Sequence, residues 1–198
     1  MHGLSDSAAV DLLWLPLGAG GNCVRLSGKT FEAAASLVRG RPRRDLYHSA
    51  LEITSPDGFF AIETAPVEDG DPAARGVVST GAVGSRLAGR WRIFRYELRC
   101  WRGGAIPDRA YAVDSPRRLT DDPSVAQSIL DLVPSVPMPV WGRDELQTGE
   151  MWNSNSVIAW LLVRAGLPTD AVEPPRGGRA PGWQAGLVVA RRGSQGLP

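Results

Sequence analysis

The chain is poor in the residues that build disulfide, zinc and imidazole sites. Its 198 residues include 2 cysteines and 2 histidines, too few for a disulfide framework and without the spacing of zinc ligands. Lys29 is the only lysine, and the net charge is +1. Acidic and basic residues are interspersed, so no strong field attracts nucleic acid. We therefore expect no metal, no organic cofactor and no nucleic-acid partner.

Long apolar runs are also absent. They fall short of the roughly 18 residues that a transmembrane helix needs, and the N-terminus lacks a basic region followed by a clean apolar block. We expect no integral membrane segment and a cytoplasmic location. With 43% hydrophobic residues, the chain is long enough to form one hydrophobic core but too short for two typical domains. We predict one domain over residues 1–198, with 1–8 and 191–198 flexible; the oligomeric state stays open.

The most informative stretch runs from Glu150 to Gly166. It opens with the polar residues Asn153 to Ser156 and is then apolar at nearly every position up to Arg164. Asn and Ser favour the start of a helix and Gly its end, so the pattern predicts a buried helix that begins near Ser154 to Ser156. A hydroxyl there lies where free N–H groups and the helix dipole favour negative charge, as an activated nucleophile requires. Ordinary helix capping is the alternative role.

An earlier stretch predicts a β-hairpin. Leu46–Ile53 and Phe59–Ala65 have strand composition, and the turn residues from Ser55 to Gly58 lie between them. If Ser55 pairs with Gly58, His48 and Glu63 share one face of the hairpin and lie one diagonal step apart. A slip of one residue would move Glu63 to the opposite face. The alternatives are a strand histidine satisfied by a neighbour and an exposed strand carboxylate.

The remaining elements follow from local patterns. Residues 90–102 predict a half-exposed strand with Arg95, Glu97 and Arg99 on its solvent side. Further predicted strands are Asp11–Leu17, Asn22–Leu26, Val77–Thr80, Ala110–Val113 and Trp183–Ala190, and further predicted helices are Thr30–Val38 and Asp121–Val133.

The hairpin and the helix start together resemble permuted papain-like enzymes, in particular the lecithin:retinol acyltransferase and NlpC-type families. The resemblance rests on Tyr47-His48-Ser49-Ala50-Leu51-Glu52-Ile53, on Gly58 to Pro66 and on Asn153-Ser154. It implies an α+β domain in which an antiparallel sheet packs against the buried helix. It also implies that His48 is the base, Glu63 the residue that orients it, and Ser154 the nucleophile after Asn153.

Two positions depart from the family, which has cysteine where this chain has Ser154 and often histidine where it has Glu63. The departures fit each other, because a serine nucleophile needs a base whose protonated form a carboxylate stabilises. The resemblance implies hydrolysis or transfer of an acyl group, as an esterase or amidase, through acyl-Ser154. Backbone N–H groups near Asn153, Asn155 and Ser156 would bind the oxyanion. Trp152 and Trp14 could line a pocket for a small-molecule, lipid or peptide-like substrate.

Other interpretations remain open. The protein could be a cell-wall-type amidase or peptidase, or a papain-like binding protein that has lost catalysis. Ser156 is a second possible nucleophile, although we favour a capping role for it. Cys23 follows Asn22 in a second Asn-Cys pair, but the next residues resemble a strand, and a structural cysteine is the better interpretation.

Overall fold

A computed structural model describes residues 7–17 and 45–194. Six strands form one sheet in the order β4-β5-β3-β2-β1-β6, and all adjacent strands are antiparallel. The strands are β1 (Ala9–Pro16), β2 (Tyr47–Ser55), β3 (Gly58–Pro66), β4 (Val77–Ala82), β5 (Arg95–Arg102) and β6 (Arg117–Thr120). The α-helices of the described ranges are α1 (Pro123–Leu132), α2 (Ser154–Arg164) and α3 (Trp183–Ser194). The predicted α+β class and antiparallel sheet are confirmed. No described helix has the length and apolarity that crossing a membrane requires.

The β2–β3 hairpin has the predicted register. Ser55 pairs with Gly58, and the ladder continues to Leu51 and Ile62. Gly58 adopts a φ of 125°, a conformation that glycine reaches without a steric penalty. His48 and Glu63 therefore lie on the same face of the sheet, as predicted.

The two faces of the sheet have different coverings. On one, which we call the helix face, side chains such as Trp14, Leu51 and Leu98 pack with apolar residues of α1, α2 and α3 in the main core. On the other, which we call the loop face, a smaller cluster surrounds Ile106 from residues 103–114. Its strand members are Leu13, Leu15, Ala50 and Ala61. Both faces of the central strands are thus buried.

Helix α2 begins at Ser154, as the polar start of the stretch predicted. The Asn153 side chain accepts hydrogen bonds from the N–H groups of Asn155 (2.9 Å) and Ser156 (3.4 Å). The Ser156 hydroxyl in turn accepts from the Asn153 N–H at 3.1 Å. This reciprocal arrangement is a capping box, and every residue from Ser154 to Leu162 is buried.

The predicted strand Trp183–Ala190 is wrong, because these residues belong to α3. A short apolar run does not distinguish a strand from a buried helix by periodicity alone. Gly186 brings α3 very close to α2: a Cβ at this position would lie 2.2 Å from the carbonyl oxygen of Ser156. Helix α3 continues to Ser194, past the predicted start of a flexible tail at Arg191.

Two other predictions need correction, and one strand was not predicted. Ala110–Val113 is not a strand, since Arg109–Tyr111 forms a 3-10 turn. Strand β6 was not predicted; its Arg118 forms an ion pair with Asp11 of β1 at 2.7 Å. Ala8 is buried in the core rather than flexible. The predicted elements Asn22–Leu26 and Thr30–Val38, together with Cys23, lie outside the described residues.

The predicted solvent side of β5 is also buried. Glu97 and Arg99 are 1% and 2% exposed, and the Arg99 guanidinium contacts Glu97 (2.6 Å), Glu63 (3.2 Å) and Glu68 (3.2 Å). Arg75 adds a second cation, 3.1 Å from Glu97. These charges are buried because they are paired with one another, and a pattern of alternating charge does not reveal that pairing.

Candidate functional site

The start of α2 faces β2 through Asn155 and Ser49. The Asn155 side-chain oxygen accepts a hydrogen bond from the Ser49 hydroxyl at 2.9 Å. Its amide nitrogen donates to the carbonyl oxygens of Tyr47 (3.0 Å) and Pro181 (2.8 Å). Ser49 and Asn155 are 0% and 1% exposed. The Ser49 side chain therefore lies on the helix face, between strand and helix.

His48 points the other way. Strands β1 and β2 pair without interruption from Tyr47 to Thr54, so consecutive side chains of β2 alternate between the two faces. With Ser49 on the helix face, the imidazole of His48 lies on the loop face. Burial lowers the pKa of His48 to about 4, an effect that Asp108 opposes. Ser154 and His48 thus lie on opposite faces of the sheet, and the structure does not assemble the predicted triad.

Glu63 shares the loop face with His48 but has another partner. Its carboxylate accepts a hydrogen bond from the Arg99 guanidinium at 3.2 Å. Burial raises the pKa of Glu63, and Arg99 opposes that change. Glu63 is therefore part of the buried ion-pair network and does not orient the imidazole.

The predicted oxyanion donors are already occupied. The N–H groups of Asn155 and Ser156 donate to the Asn153 side chain. The Ser156 hydroxyl donates to the Gly182 carbonyl oxygen at 2.7 Å, and the Asn153 amide donates to Pro181 at 2.8 Å. Ser154, in the first turn, is 5% exposed. Asn153 and Ser156 therefore cap the helix, and Asn155 fastens it to β2.

The two tryptophans predicted to line a pocket have different positions. Trp152 is 1% exposed within the main core. Trp14 is also buried, at 2% exposed, but it forms part of the wall of a cavity of about 620 Å³. We call this space the Trp14 cavity. Its charged lining residues are Asp114, Arg117, Glu173 and Arg176, and the segment from Pro174 to Gly178 completes the wall.

The indole N–H of Trp14 has no hydrogen-bond partner among the described residues. The ring itself is held firmly, because it packs on Trp183 with centroids 5.2 Å apart. The backbone N–H of Trp14 donates to the Ser115 hydroxyl at 2.9 Å, and its carbonyl accepts from Val113 at 2.9 Å. The Trp14 ring is thus a fixed part of the cavity wall, and its indole N–H is buried.

The far wall of the cavity is attached to the sheet at three points. The Tyr47 N–H donates to the Arg179 carbonyl oxygen, and the Arg179 N–H to that of Asp45, both at 2.8 Å. The Arg117 guanidinium donates to the Ala171 carbonyl oxygen at 3.0 Å. At Gly178 a Cβ would lie 2.4 Å from the Tyr47 ring, so only glycine permits this close approach. The cavity is a built feature of the fold.

Sequence reasoning identified Trp14 as a possible pocket residue but none of the four charged ones. Asp114 precedes β6 and Arg117 is the first residue of that strand, whereas Glu173 and Arg176 lie in the proline-rich segment between α2 and α3. No local spacing connects two segments so far apart in sequence. Three-dimensional packing alone brings them together.

Comparison with known proteins adds no assignment: no family model matches the chain, and no significant match exists among curated proteins or solved structures. The papain-like resemblance stays a prediction. Within residues 7–17 and 45–194, no group of three His, Cys, Asp or Glu side chains could hold a metal ion.

Proposed function

We propose that this protein is a non-catalytic binding domain that holds a small zwitterionic ligand, of the amino-acid or short-peptide kind, in the Trp14 cavity. The observation that carries the proposal is the set of two cations and two carboxylates that line this cavity beside Trp14. The indole N–H of Trp14 is also buried and unpaired among the described residues. A buried donor without a partner costs about 1–3 kcal/mol, and native proteins contain few. A ligand acceptor that reaches the indole N–H through a small movement of the ring would recover that energy.

The size of the cavity supports a small ligand. Its volume of about 620 Å³ lies within the range of roughly 300–1,000 Å³ that is usual for small-molecule sites. Burial of Trp14 against Trp183 gives one rigid aromatic wall, and such a wall limits the ordering cost of binding. A ligand of a few residues would fill the space.

The charges that line the cavity favour a zwitterion. Arg117 and Arg176 provide two cations, and Asp114 and Glu173 provide two carboxylates. A guanidinium binds a carboxylate through paired hydrogen bonds, and a carboxylate binds an ammonium group. A ligand that carries only a carboxylate would pair with the two arginines but would face the two carboxylates of the wall. A ligand that carries only an ammonium group would have the opposite problem.

The same geometry disfavours acyl transfer through Ser154. A general base must lie within about 2.6–3.2 Å of the hydroxyl proton that it removes, directly or through one water, and His48 lies behind the sheet from Ser154. The helix-start N–H groups that would bind an oxyanion are bonded to Asn153. We therefore favour binding over the hydrolase interpretation.

The test is isothermal titration calorimetry with three probes of matched size that differ in charge: L-Ala-L-Ala, N-propionyl-L-alanine and L-alanyl-L-alaninamide. We expect the dipeptide to bind most tightly. Trp14→Phe keeps an aromatic ring but removes the N–H, and it should weaken binding about twofold to tenfold, the value of one hydrogen bond. Arg176→Ala should weaken binding as well. Arg102→Ala, at an exposed arginine on β5, is the matched control and should bind like the wild type.

Two results would count against the proposal. The first is that none of the probes binds, or that they bind equally well to the wild type, Trp14→Phe and Arg176→Ala. The second comes from a fluorophosphonate probe analysed by intact mass. Labelling of Ser154 that disappears in His48→Ala would restore the hydrolase interpretation.

A further inference from the structure

A cluster of large apolar side chains is exposed between β4 and β5. Leu87, Trp91, Ile93 and Phe94 are 61%, 59%, 80% and 42% exposed. Single exposed apolar residues are ordinary on protein surfaces, but a contiguous group marks a contact site. We call residues 86–95 the apolar knob.

The backbone of the knob is ordered, so these side chains are presented in a fixed arrangement. Two 3-10 turns, Ala88–Arg90 and Arg92–Phe94, follow one another. The Ser85 hydroxyl accepts a hydrogen bond from the Ala88 N–H at 3.0 Å. A Cβ at Gly89 would lie 2.6 Å from the Ala82 Cβ, so glycine allows the first turn to pack closely on β4.

The knob is rich in cations and has no acidic residue of its own. The chain contains no Asp or Glu between Asp71 and Glu97. The knob arginines are Arg86, Arg90, Arg92 and Arg95.

Carboxylates neutralise only part of this charge. Arg86 pairs with Glu145 at 3.1 Å, and Arg92 pairs with Asp69. Arg95 donates instead to the Thr80 hydroxyl at 2.6 Å. Arg90 is exposed.

A fifth cation lies beside the knob. The Arg143 guanidinium donates to the Gly84 carbonyl oxygen at 2.6 Å. Four arginines of the knob and Arg143 beside it therefore accompany the apolar side chains, and only Arg86 and Arg92 of the five form an ion pair with a described carboxylate. The surface combines exposed apolar groups with three arginines that form no such pair.

We propose that the apolar knob docks this protein reversibly on an anionic lipid bilayer. Trp91 and Ile93 would insert at the level of the headgroups, and the arginines would contact lipid phosphates. Tryptophan favours this interface because one part of its ring is apolar and its N–H is polar. Apolar insertion and attraction to anionic lipid act together in such contacts. A bilayer also needs no complementary groove, and this agrees with side chains that project outward.

The inference is independent of the proposed ligand site. The knob adjoins β4 and β5 at one edge of the sheet, whereas the Trp14 cavity adjoins β1 and β6 at the other. Variants of the knob should leave dipeptide binding unchanged. The two proposals can therefore fail separately.

The experiment is cosedimentation of the full chain with vesicles at neutral pH. One set contains phosphatidylcholine alone, and in the other about a third of the lipid is phosphatidylserine. We expect binding to the anionic vesicles only, with loss of binding in about 0.5 M salt, where charges are screened within a few ångströms.

Variants then locate the contact. The double variant Trp91→Ser/Ile93→Ser should lower the partition coefficient by at least about tenfold, because both inserted side chains lose apolar area. Arg90→Glu should lower it by about fivefold or more, since it removes one cation and adds one anion. Tyr111→Ser, at a residue 57% exposed on another loop, and Arg191→Glu on α3 are matched controls that should bind like the wild type. Thermal midpoints establish that each variant is folded.

Several outcomes would overturn the proposal. Folded wild-type protein that does not sediment with anionic vesicles would do so, as would a loss in Tyr111→Ser as large as that in the double knob variant. A concentration-dependent dimer that Trp91→Ser/Ile93→Ser abolishes, without any lipid binding, would show that the knob serves self-association instead.

Discussion

The contact between Ser49 and Asn155 leads to the sharpest prediction about the fold. Asn155→Ala removes three buried hydrogen bonds, to Ser49, Tyr47 and Pro181. At about 0.5–1.5 kcal/mol for each bond, and with two backbone acceptors left without this donor, we expect a loss of about 3–5 kcal/mol in the free energy of unfolding. Ser49→Ala removes one bond and should cost about 1–3 kcal/mol.

A double-mutant cycle measures the contact itself. The combined Ser49→Ala/Asn155→Ala variant should be less destabilised than the sum of the single variants by about 1 kcal/mol, because the shared bond is lost only once. The control is His48→Ala with Asn155→Ala. Those two effects should add within about 0.5 kcal/mol, since the side chains lie on opposite faces.

The assay is urea unfolding at neutral pH. The dependence of the unfolding free energy on urea concentration is compared across all variants. Additive effects for Ser49 and Asn155, together with coupling between His48 and Asn155, would refute the assignment of faces. The helix would then pack on the His48 side of the strand, and the original triad would regain its geometry.

Three further predictions concern other contacts. Gly186→Ala should destabilise the protein by about 1–3 kcal/mol through overpacking against α2. Gly193→Ala in the same helix is the control; its new Cβ would meet only the flexible end of an arginine side chain, at 3.2 Å, so it should be neutral or slightly stabilising. Thermal unfolding compares the two variants. Arg99→Met should cost about 3–5 kcal/mol at neutral pH by leaving buried carboxylates unpaired. The cost should be smaller at pH 5, because burial raises the pKa of Glu63 and a protonated carboxyl no longer needs the cation; denaturant titration at both pH values tests this. Because the folded pKa of His48 is about 4 and the unfolded value about 6.5, the unfolded chain binds the proton first on acidification. The wild type should therefore lose up to about 3 kcal/mol in the free energy of unfolding, relative to His48→Gln, as pH falls from about 6.5 to 4. Equal pH profiles of the two proteins would contradict the lowered pKa of His48.

Local chemistry was enough to predict the helix start and the hairpin. Asn153 and Ser156 are good capping residues, and capping depends on groups within a few positions of one another. The hairpin register follows from the turn at Ser55 and Gly58, which pairs neighbours in sequence. Both predictions needed no knowledge of distant contacts.

The sequence did not predict which face of β2 packs against α2. Ser49, Ala50 and Leu51 are each 0% exposed, and Glu52 is 4% exposed. When both faces of a strand are buried, the alternation of polar and apolar residues that identifies the inner face disappears. The pattern therefore showed that His48 and Glu63 share a face but not which layer covers it.

Longer-range packing explains the other errors. Residues of α3 resembled a strand because Gly186 and the valines that follow it are poor helix formers. The helix forms because Gly186 allows close packing on α2. Arg99 resembled a solvent residue because two of its three glutamate partners, Glu63 and Glu68, come from outside β5. The Trp14 cavity likewise joins residues more than a hundred positions apart.

The most direct test of the binding site is a titration of the protein with L-Ala-L-Ala followed by the indole N–H resonance of Trp14. That resonance can be assigned by its loss in Trp14→Phe. We expect it to shift with a saturable dependence on dipeptide, while the backbone amides of Ser154 and Asn155 stay unchanged. A Trp14 resonance that does not move, with shifts at Ser154 and Asn155 instead, would contradict the account and place the ligand at the start of α2.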